Sequence, residues 1–283
     1  MINGKIVADE IRTTLAEKIN EIKGRGVEPC LATVLVGNND SSITYVNSKQ
    51  KAAADLGINT KDFRLDSKIS QEKLIDLVSL LSNDQNVHGI LVQMPLPRHI
   101  YEFSILKHIN PAKDVDGLTP LNAGLLLHGR DCLVPCTPFG IIRLLDYYGI
   151  SVSAMNAVIV NRSNLVGKPL SILLLQRDAT VTICHSRTKN LERILLEAEL
   201  VITAVGNSSK FLLTDSMIKE GAIVIDVGNN RRDNKVTGDV DFVSVSEKAS
   251  WITPVPGGVG PMTITMLLYN TVKAAASINF ITN

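Results

Sequence analysis

Val158-Ile-Val-Asn-Arg-Ser-Asn-Leu-Val-Gly-Lys-Pro169 decides how this chain is to be read. A β-branched run ends at Asn161, polar residues follow, and Gly167-Lys168-Pro169 opens an apolar helical pattern. Strand, turn and helix start in succession form the arrangement with which a doubly wound sheet holds a phosphate group. The turn has no G-x-G-x-x-G. Asn161 occupies the place of the first glycine, and asparagine tolerates left-handed backbone, so the turn is expected to survive.

On either side the same alternation continues. Strands are expected at Ala157–Val160, Thr180–Cys184, Leu200–Ala204 and Ala222–Val227, separated by helical stretches around 167–176, 189–197 and 214–219. Upstream, Ile6, Val7, Ile11, Leu15 and Ile19 mark an amphipathic helix over 4–23. A strand at Leu31–Val36, a helix at 42–56, a strand near Lys61–Leu65, a helix at 70–82 and a strand at Gly89–Gln93 follow. Pro95 and Pro97 stop the last of these, and a further helix is expected from Pro138 to Tyr148. This spacing predicts parallel βαβ units. The fold class is α/β: two α/β domains, the C-terminal one a Rossmann-like doubly wound parallel sheet, with an active-site cleft between them. The expected division is 1–120, a connecting segment and helix over 121–150, and 151–261, with a helix over about 262–283 packing back on the first domain.

Composition narrows the partners. Among 283 residues, 29 Lys+Arg against 28 Asp+Glu leave a net charge of +1, which favours neither nucleic acid nor an anionic membrane. No apolar run approaches the roughly 18–20 residues of a membrane helix. No basic segment leads an apolar one at the start. The reading is a soluble, cytoplasmic protein. Cys132-x-x-x-Cys136 with Cys184-His185 lacks the closer spacing of paired zinc thiolates, so the four cysteines are read as reduced thiols and no metal is expected.

Five stretches carry chemistry. Tyr45 and Lys49 share a helix face that Ala52, Ala53 and Leu56 make apolar; a desolvated lysine there would transfer protons near neutral pH, while a solvated lysine over a tyrosine ring is the plainer alternative. Gln93 ends a buried strand, where it would bond a ligand or hold Lys49, or simply cap a loop. In Lys113-Asp-Val-Asp-Gly117 the calcium-loop spacing is incomplete; one carboxylate facing a substrate with adjacent N–H donors competes with an Asx-turn. Where NAD enzymes place an acid for the ribose diol, Cys184-His-Ser-Arg-Thr188 offers a hydroxyl and an arginine, with Arg162 nearby, which argues for NADP. Pro254-Val-Pro-Gly-Gly-Val-Gly-Pro-Met-Thr263 sets a rigid loop before a helix expected from Pro261, suited to a polar or anionic group.

In order along the chain, YVNSKQKAA (45–53), GILVQMPLP (89–97), KDVDG (113–117), PCTP (135–138), RSNLVGKP (162–169), TVTICHSRT (180–188), DVG (226–228) and TPVPGGVGPMT (253–263) resemble the bifunctional methylenetetrahydrofolate dehydrogenase/methenyltetrahydrofolate cyclohydrolase family. The resemblance covers essentially the whole chain. It implies NADP-dependent oxidation of methylenetetrahydrofolate, hydrolysis of the product to formyltetrahydrofolate, and a homodimer. It implies that Lys49 is catalytic, that Tyr45 and Gln93 position it and the folate, that Val92 and Met94 flank that site, and that Asp116 binds the pterin ring. Pro256, Gly257, Gly258, Val259 and Gly260 would line the folate site and the nicotinamide end. Asn161, Arg162, Ser163, Ser186 and Asn229 would serve NADP. Two positions depart from the family pattern: Asn161 replaces the glycine of G-R-S, and Asn229 stands where an apolar residue follows Asp-Val-Gly. Both bear on cofactor affinity. Three rival expectations are a two-domain NADP dehydrogenase acting on a hydroxy acid or keto acid, with Lys49 and Asp116 as its pair, a non-catalytic ligand-binding relative, and a dehydrogenase that has lost the cyclohydrolase step, against which Tyr45, Lys49 and Gln93 argue.

Overall fold

The computed structural model describes residues 1–232 and 235–280. The chain divides into two compact units, one of Met1–Asp9 with Thr137–Thr263, the other of Glu10–Cys136 with the residues from Ile264 onward.

In the unit of Glu10–Cys136, α1 (Gly4–Gly24) leads to β1 (Cys30–Val36), α2 (Asp40–Asp55), β2 (Asn59–Leu65), α3 (Gln71–Asn83), β3 (Gly89–Val92), α4 (Glu102–Leu106) and α5 (Pro120–Leu127). The strands form a parallel sheet in the order β2-β1-β3. Central strand β1 is buried at every position, which is why its sequence is an unbroken apolar run apart from Thr33. Edge strand β2 alternates instead. Ser70 opens α3 by accepting from the Lys73 N–H at 3.3 Å. Leu74, Val78 and Leu81 then recur along one face and pack with Val34 and Ile90. Each such burial stabilises by about 1.5–3 kcal/mol. The chain leaves β1 and β3 at the same edge of the sheet, so α2 and Gln93 start out together.

In the other unit, α6 (Cys136–Tyr147) precedes β4 (Asn156–Val160), α7 (Gly167–Leu175), β5 (Thr180–Cys184), α8 (Leu191–Leu196), β6 (Leu200–Thr203), β7 (Ile223–Asp226), β8 (Asn230–Arg232), β9 (Lys235–Thr237), α9 (Phe242–Lys248), β10 (Trp251–Ile252) and α10 (Val259–Phe280), the last running on into the unit of Glu10–Cys136. Five strands pair in parallel in the order β10-β7-β6-β4-β5. Succession reverses at β4, with β5 on one side and β6 on the other, and ligands of doubly wound sheets bind beyond the carboxyl ends of the strands at such a point. Strands β8 and β9 form a separate antiparallel pair.

Some expectations are corrected. Residues 214–219 form a single 3-10 turn at Asp215–Met217 in place of the expected helix. The terminal helix begins at Val259 rather than Pro261, and residues 281–283 of its expected span lie outside the described residues. The compact units change over at 9/10, 136/137 and 263/264. Within residues 121–150, Asn122 of α5 bonds Asp114 at 2.9 Å, and a Cβ at Gly140 of α6 would lie 2.8 Å from that of Met262 in α10.

Candidate active site

Helix α2 carries Lys49, and Asn39 sets its start by accepting from the Ser42 N–H at 3.1 Å. One turn separates Lys49 from Tyr45, and Nζ lies 4.6 Å from the centroid of the half-buried tyrosine ring. Nζ also donates to Gln93 Oε1 at 3.1 Å. The Gln93 backbone N–H donates to the Val34 carbonyl at 2.9 Å, fixing its position beyond β3. Buried Val92 and half-buried Met94 flank it. Lys49 is only 4% exposed, whereas Lys51 is exposed. Burial pushes the Lys49 ammonium below its usual pKa, opposed by the negative charge of Asp116.

The two aspartates of Lys113-Asp-Val-Asp-Gly117 have separate tasks. Asp114, 1% exposed, accepts from the Leu118 N–H at 3.0 Å, the Thr119 N–H at 2.7 Å and Asn122 Nδ2 at 2.9 Å. Burial raises its pKa in spite of those donors. Asp116 is half-buried, and its charge acts on both Lys49 and Cys136. Burial, then Asp116, pushes the Cys136 thiol well up. Gly117 sits at φ +67°, and a Cβ there would lie 2.6 Å from the Leu133 carbonyl and the Pro135 nitrogen. Only glycine fits, so the direction in which Asp116 leaves its loop is set by backbone. Tyr45, Lys49, Gln93 and Asp116 therefore gather around one ammonium group.

The unit of Thr137–Thr263 holds the other site residues. Val160 of β4 pairs with Cys184 of β5, so Arg162 and Ser186, each two residues further on, leave from neighbouring strands. Both are exposed, as is Arg187. The left-handed backbone expected at Asn161 is absent, since its φ is not positive. Its side chain makes the turn instead: Oδ1 accepts from the Ser163 N–H at 2.7 Å and the Gly167 N–H at 3.0 Å, while Nδ2 donates to the Ala204 carbonyl at 2.6 Å. The Asn161 carbonyl crowds the place a Cβ would take at Gly167, which explains that glycine. Ser163 completes the turn, its Oγ accepting from the Val166 N–H and its carbonyl from the Lys168 N–H, both at 3.1 Å.

In Pro254–Thr263 the Val255–Pro256 peptide is cis and Gly257 has φ +105°. The Lys5 N–H holds the Gly257 carbonyl at 3.1 Å, and Thr263 and Thr137 share a hydroxyl bond of 2.9 Å. Pro256 and Gly260 are exposed, Gly257 is half-buried, and Gly258 and Val259 are buried. At the end of β7, Asp226 accepts through Oδ1 from the Gly228 N–H at 2.9 Å, the Asp239 N–H at 3.0 Å and the Thr203 hydroxyl at 3.2 Å. Burial raises its pKa to about 6.

Sequence reasoning missed Asp239 and Asn230. Asp239, 0% exposed, accepts from the Val205 N–H at 2.6 Å, the Gly206 N–H at 3.0 Å and Asn230 Nδ2 at 2.9 Å, tying the ends of β6 and β7. Asn229 is exposed; its buried neighbour Asn230 carries the bonds. Gly238 directly before Asp239 was the available signal, and it does not say that the acid is buried.

Residues 2–116 match the family model of the tetrahydrofolate dehydrogenase/cyclohydrolase catalytic domain, and residues 135–279 match that of the family's NAD(P)-binding domain. The chain is 52% identical over 275 residues to the bifunctional protein FolD of Nitrosopumilus maritimus (strain SCM1), spanning 97% of this chain and 96% of the relative. It is 49% identical over 280 residues to the protein of the same name from Oceanobacillus iheyensis, spanning 99% and 98%. Among solved structures it is similar to the bifunctional methylenetetrahydrofolate dehydrogenase/cyclohydrolase from Campylobacter jejuni, with a TM-score of 0.94, 47% identity and 98% of each chain covered. It is likewise similar to the Trypanosoma brucei methylenetetrahydrofolate dehydrogenase-cyclohydrolase complexed with NADP cofactor and inhibitor, with a TM-score of 0.93, 36% identity and 99% and 98% covered.

Proposed function

Because the chain belongs to the tetrahydrofolate dehydrogenase/cyclohydrolase family, we propose that Lys49, Tyr45, Gln93 and Asp116 carry its substrate chemistry, and that Arg162, Ser163 and Ser186 hold its NADP. The protein is a bifunctional enzyme. It oxidises 5,10-methylenetetrahydrofolate to the methenyl compound with NADP and hydrolyses that to 10-formyltetrahydrofolate. Full-length identity to bifunctional relatives favours neither the hydroxy-acid dehydrogenase nor the non-catalytic binder.

NADP, when bound, supplies the acceptor for the hydride. Arg162, Ser186 and Arg187, exposed beyond two adjacent strands with no acid at the end of β5, suit a 2′-phosphate rather than a free ribose diol. Asn161 shapes the turn that presents Arg162, and exposed Asn229 completes the cofactor side.

In methylenetetrahydrofolate the reacting carbon lies between two nitrogens, whose lone pairs stabilise the amidinium left by a departing hydride. That step asks the protein for orientation. Water then adds to the cationic carbon and one carbon–nitrogen bond opens, so a proton must leave the water and another must reach the nitrogen. Lys49 suits this exchange: burial favours its neutral, proton-accepting form, while Asp116 draws the other way. The Tyr45 ring and Gln93 Oε1 hold Nζ in place. Half-buried Asp116 offers its carboxylate to adjacent N–H donors on the pterin edge. Val92 and Met94, with Pro256 to Gly260, are the remaining residues assigned to folate.

The observation carrying this reading is a lysine 4% exposed whose hydrogen-bond acceptor is a neutral amide. The test follows methenyl absorbance and formyl product separately in purified wild-type protein and in Lys49→Met. Hydrolysis in the variant should fall by about 10²–10⁴-fold, the contribution of one acid–base group. Undiminished hydrolysis would remove lysine from the mechanism. A cytoplasmic homodimer is also proposed, on family likeness, with sedimentation as its check. No described helix is long and apolar enough to cross a membrane.

A further inference from the structure

Asn270 in α10 is 1% exposed and reaches the loop of Asp116 from the far end of the sequence. Its Nδ2 donates to the Val115 carbonyl at 2.8 Å and to the Val134 carbonyl at 2.9 Å, with Cys136 Sγ 3.9 Å away. Val115 immediately precedes Asp116, and Val134 lies just before Pro135-Cys136. The Cys136 thiol donates back to the Val115 carbonyl at 3.2 Å. Two loops, one carrying Asp116 and the other Cys136, thus meet at a single primary amide. Packing agrees: a Cβ at Gly89, where β3 starts, would lie 2.7 Å from Val115 Cγ1 and 3.1 Å from Thr271 Oγ1. Helix α10 presses Val115 against the strand that ends beside Gln93.

We propose that Asn270 is a positioning residue for the folate reactions, fixing the backbone of Val115-Asp116 against Val134–Cys136 and so setting where the Asp116 carboxylate stands relative to Lys49. The inference rests on the reading of Asp116 as a substrate ligand. Asp114 satisfies the loop's own N–H groups at Leu118 and Thr119, which shapes the loop internally. A bridge from Ile90 of β3 and the Asn122 amide hold Asp114 against the rest of the unit, and Asn270, with the Cys136 thiol, holds the Val115 carbonyl next to Asp116. A shift of about 1 Å in a substrate-orienting group can cost on the order of 10²-fold in rate. The charged and titratable groups acting on Lys49 are Asp116 and Cys136, beside the Tyr45 ring and the neutral Gln93 amide. Releasing Asp116 therefore weakens a charge that favours the ammonium and moves the titration of Lys49 to lower pH.

The experiment compares Asn270→Leu, which keeps the bulk and removes both donors, with Asp116→Asn and with the double variant. Asn270→Leu should lower kcat/KM for methylenetetrahydrofolate by about 10–100-fold, leave KM for NADP⁺ unchanged, and shift the Lys49 limb of the hydrolysis pH profile downward. In the Asp116→Asn background its effect should largely vanish, as expected when one residue acts through another. Additive effects, or a uniform loss with the pH profile unmoved, would overturn the proposal. If Asp116→Asn leaves folate kinetics unchanged, the reading of Asp116 fails. If it impairs them while Asn270→Leu does not, only the role of Asn270 fails. Should Asn270→Leu not fold, Asn270→Ser, which keeps one donor, carries the same comparison, with a several-fold loss supporting the proposal and none refuting it.

Discussion

Gln93 faces Lys49 with its oxygen and cannot turn round, because its Nε2 is held by the Met94 carbonyl at 2.7 Å. Gln93→Glu would place a carboxylate beside Nζ, favouring the ammonium and moving the lysine's pKa up from its depressed position. A lysine that must accept a proton then needs a higher pH. Hydrolysis by Gln93→Glu should therefore fall at neutral pH and recover under alkaline conditions, as read from kcat against pH. An unmoved profile would mean that Lys49 does not govern this step.

Asn161 stands in for a glycine through its side chain. Asn161→Ala would strand the Ser163 and Gly167 N–H groups and the Ala204 carbonyl. Each buried group left without a partner costs about 1–3 kcal/mol. Urea unfolding of the cofactor-free protein should show a loss of that order, with weaker NADP⁺ binding by fluorescence titration. A midpoint unchanged from wild type would leave the asparagine without a role in the turn.

Arg162 and Ser186 follow adjacent strands, and Cys184-His-Ser-Arg-Thr188 at the end of β5 holds no acid to receive a ribose diol. Arg162→Gln should raise KM for NADP⁺ by about 10-fold or more, the value of one charge-assisted hydrogen bond, and leave KM for NAD⁺ nearly constant. Equal losses for both cofactors would place the arginine away from the 2′-phosphate.

Asp226 makes folding stability depend on pH in the opposite sense to a salt-bridged acid. Burial raises its folded pKa to about 6 from an ordinary 3.8, so the folded state holds the proton more tightly. The stability this confers is complete below the ordinary value and is lost as pH rises through about 6. The interval corresponds to roughly 3 kcal/mol. Asp226→Asn keeps an oxygen for the Thr203, Gly228 and Asp239 donors and removes the ionisation. Urea midpoints measured across the interval should be flatter in the variant, and a slope equal to wild type would assign the titration elsewhere.

Much of this was legible beforehand because local sequence carries it. Ser70 and the Leu74, Val78, Leu81 period announce α3, and the β-branched run before Asn161 announces β4. The spacing of Lys49 to Tyr45 beside small apolar residues left a desolvated and a solvated lysine both open, and the fold buries it. The two aspartates of the Asp116 loop were not separable by spacing, because which of them is buried depends on donors at Leu118, Thr119 and Asn122 that only the fold brings together. Asn161 was understood as a backbone substitute, yet it acts through its amide, since one residue type serves both purposes. Asn230, Asp239 and Asn270 stayed hidden because a buried asparagine or aspartate is spelled like an exposed one, and its partners lie beyond any local window. Helix α5 had a visible start in Thr119-Pro120, while β8 and β9 are too short and polar to show a period.

Val134 and Val115 wait on a side chain that the ribosome makes long after them. Asn270 follows Val115 by 155 positions, and nearly the whole of the Thr137–Thr263 unit is translated in between. A nascent chain therefore displays Tyr45, Lys49, Gln93 and Asp116 well before it possesses the amide that pins their surroundings. Any product stalled short of α10 would carry every one of those residues and lack the clasp.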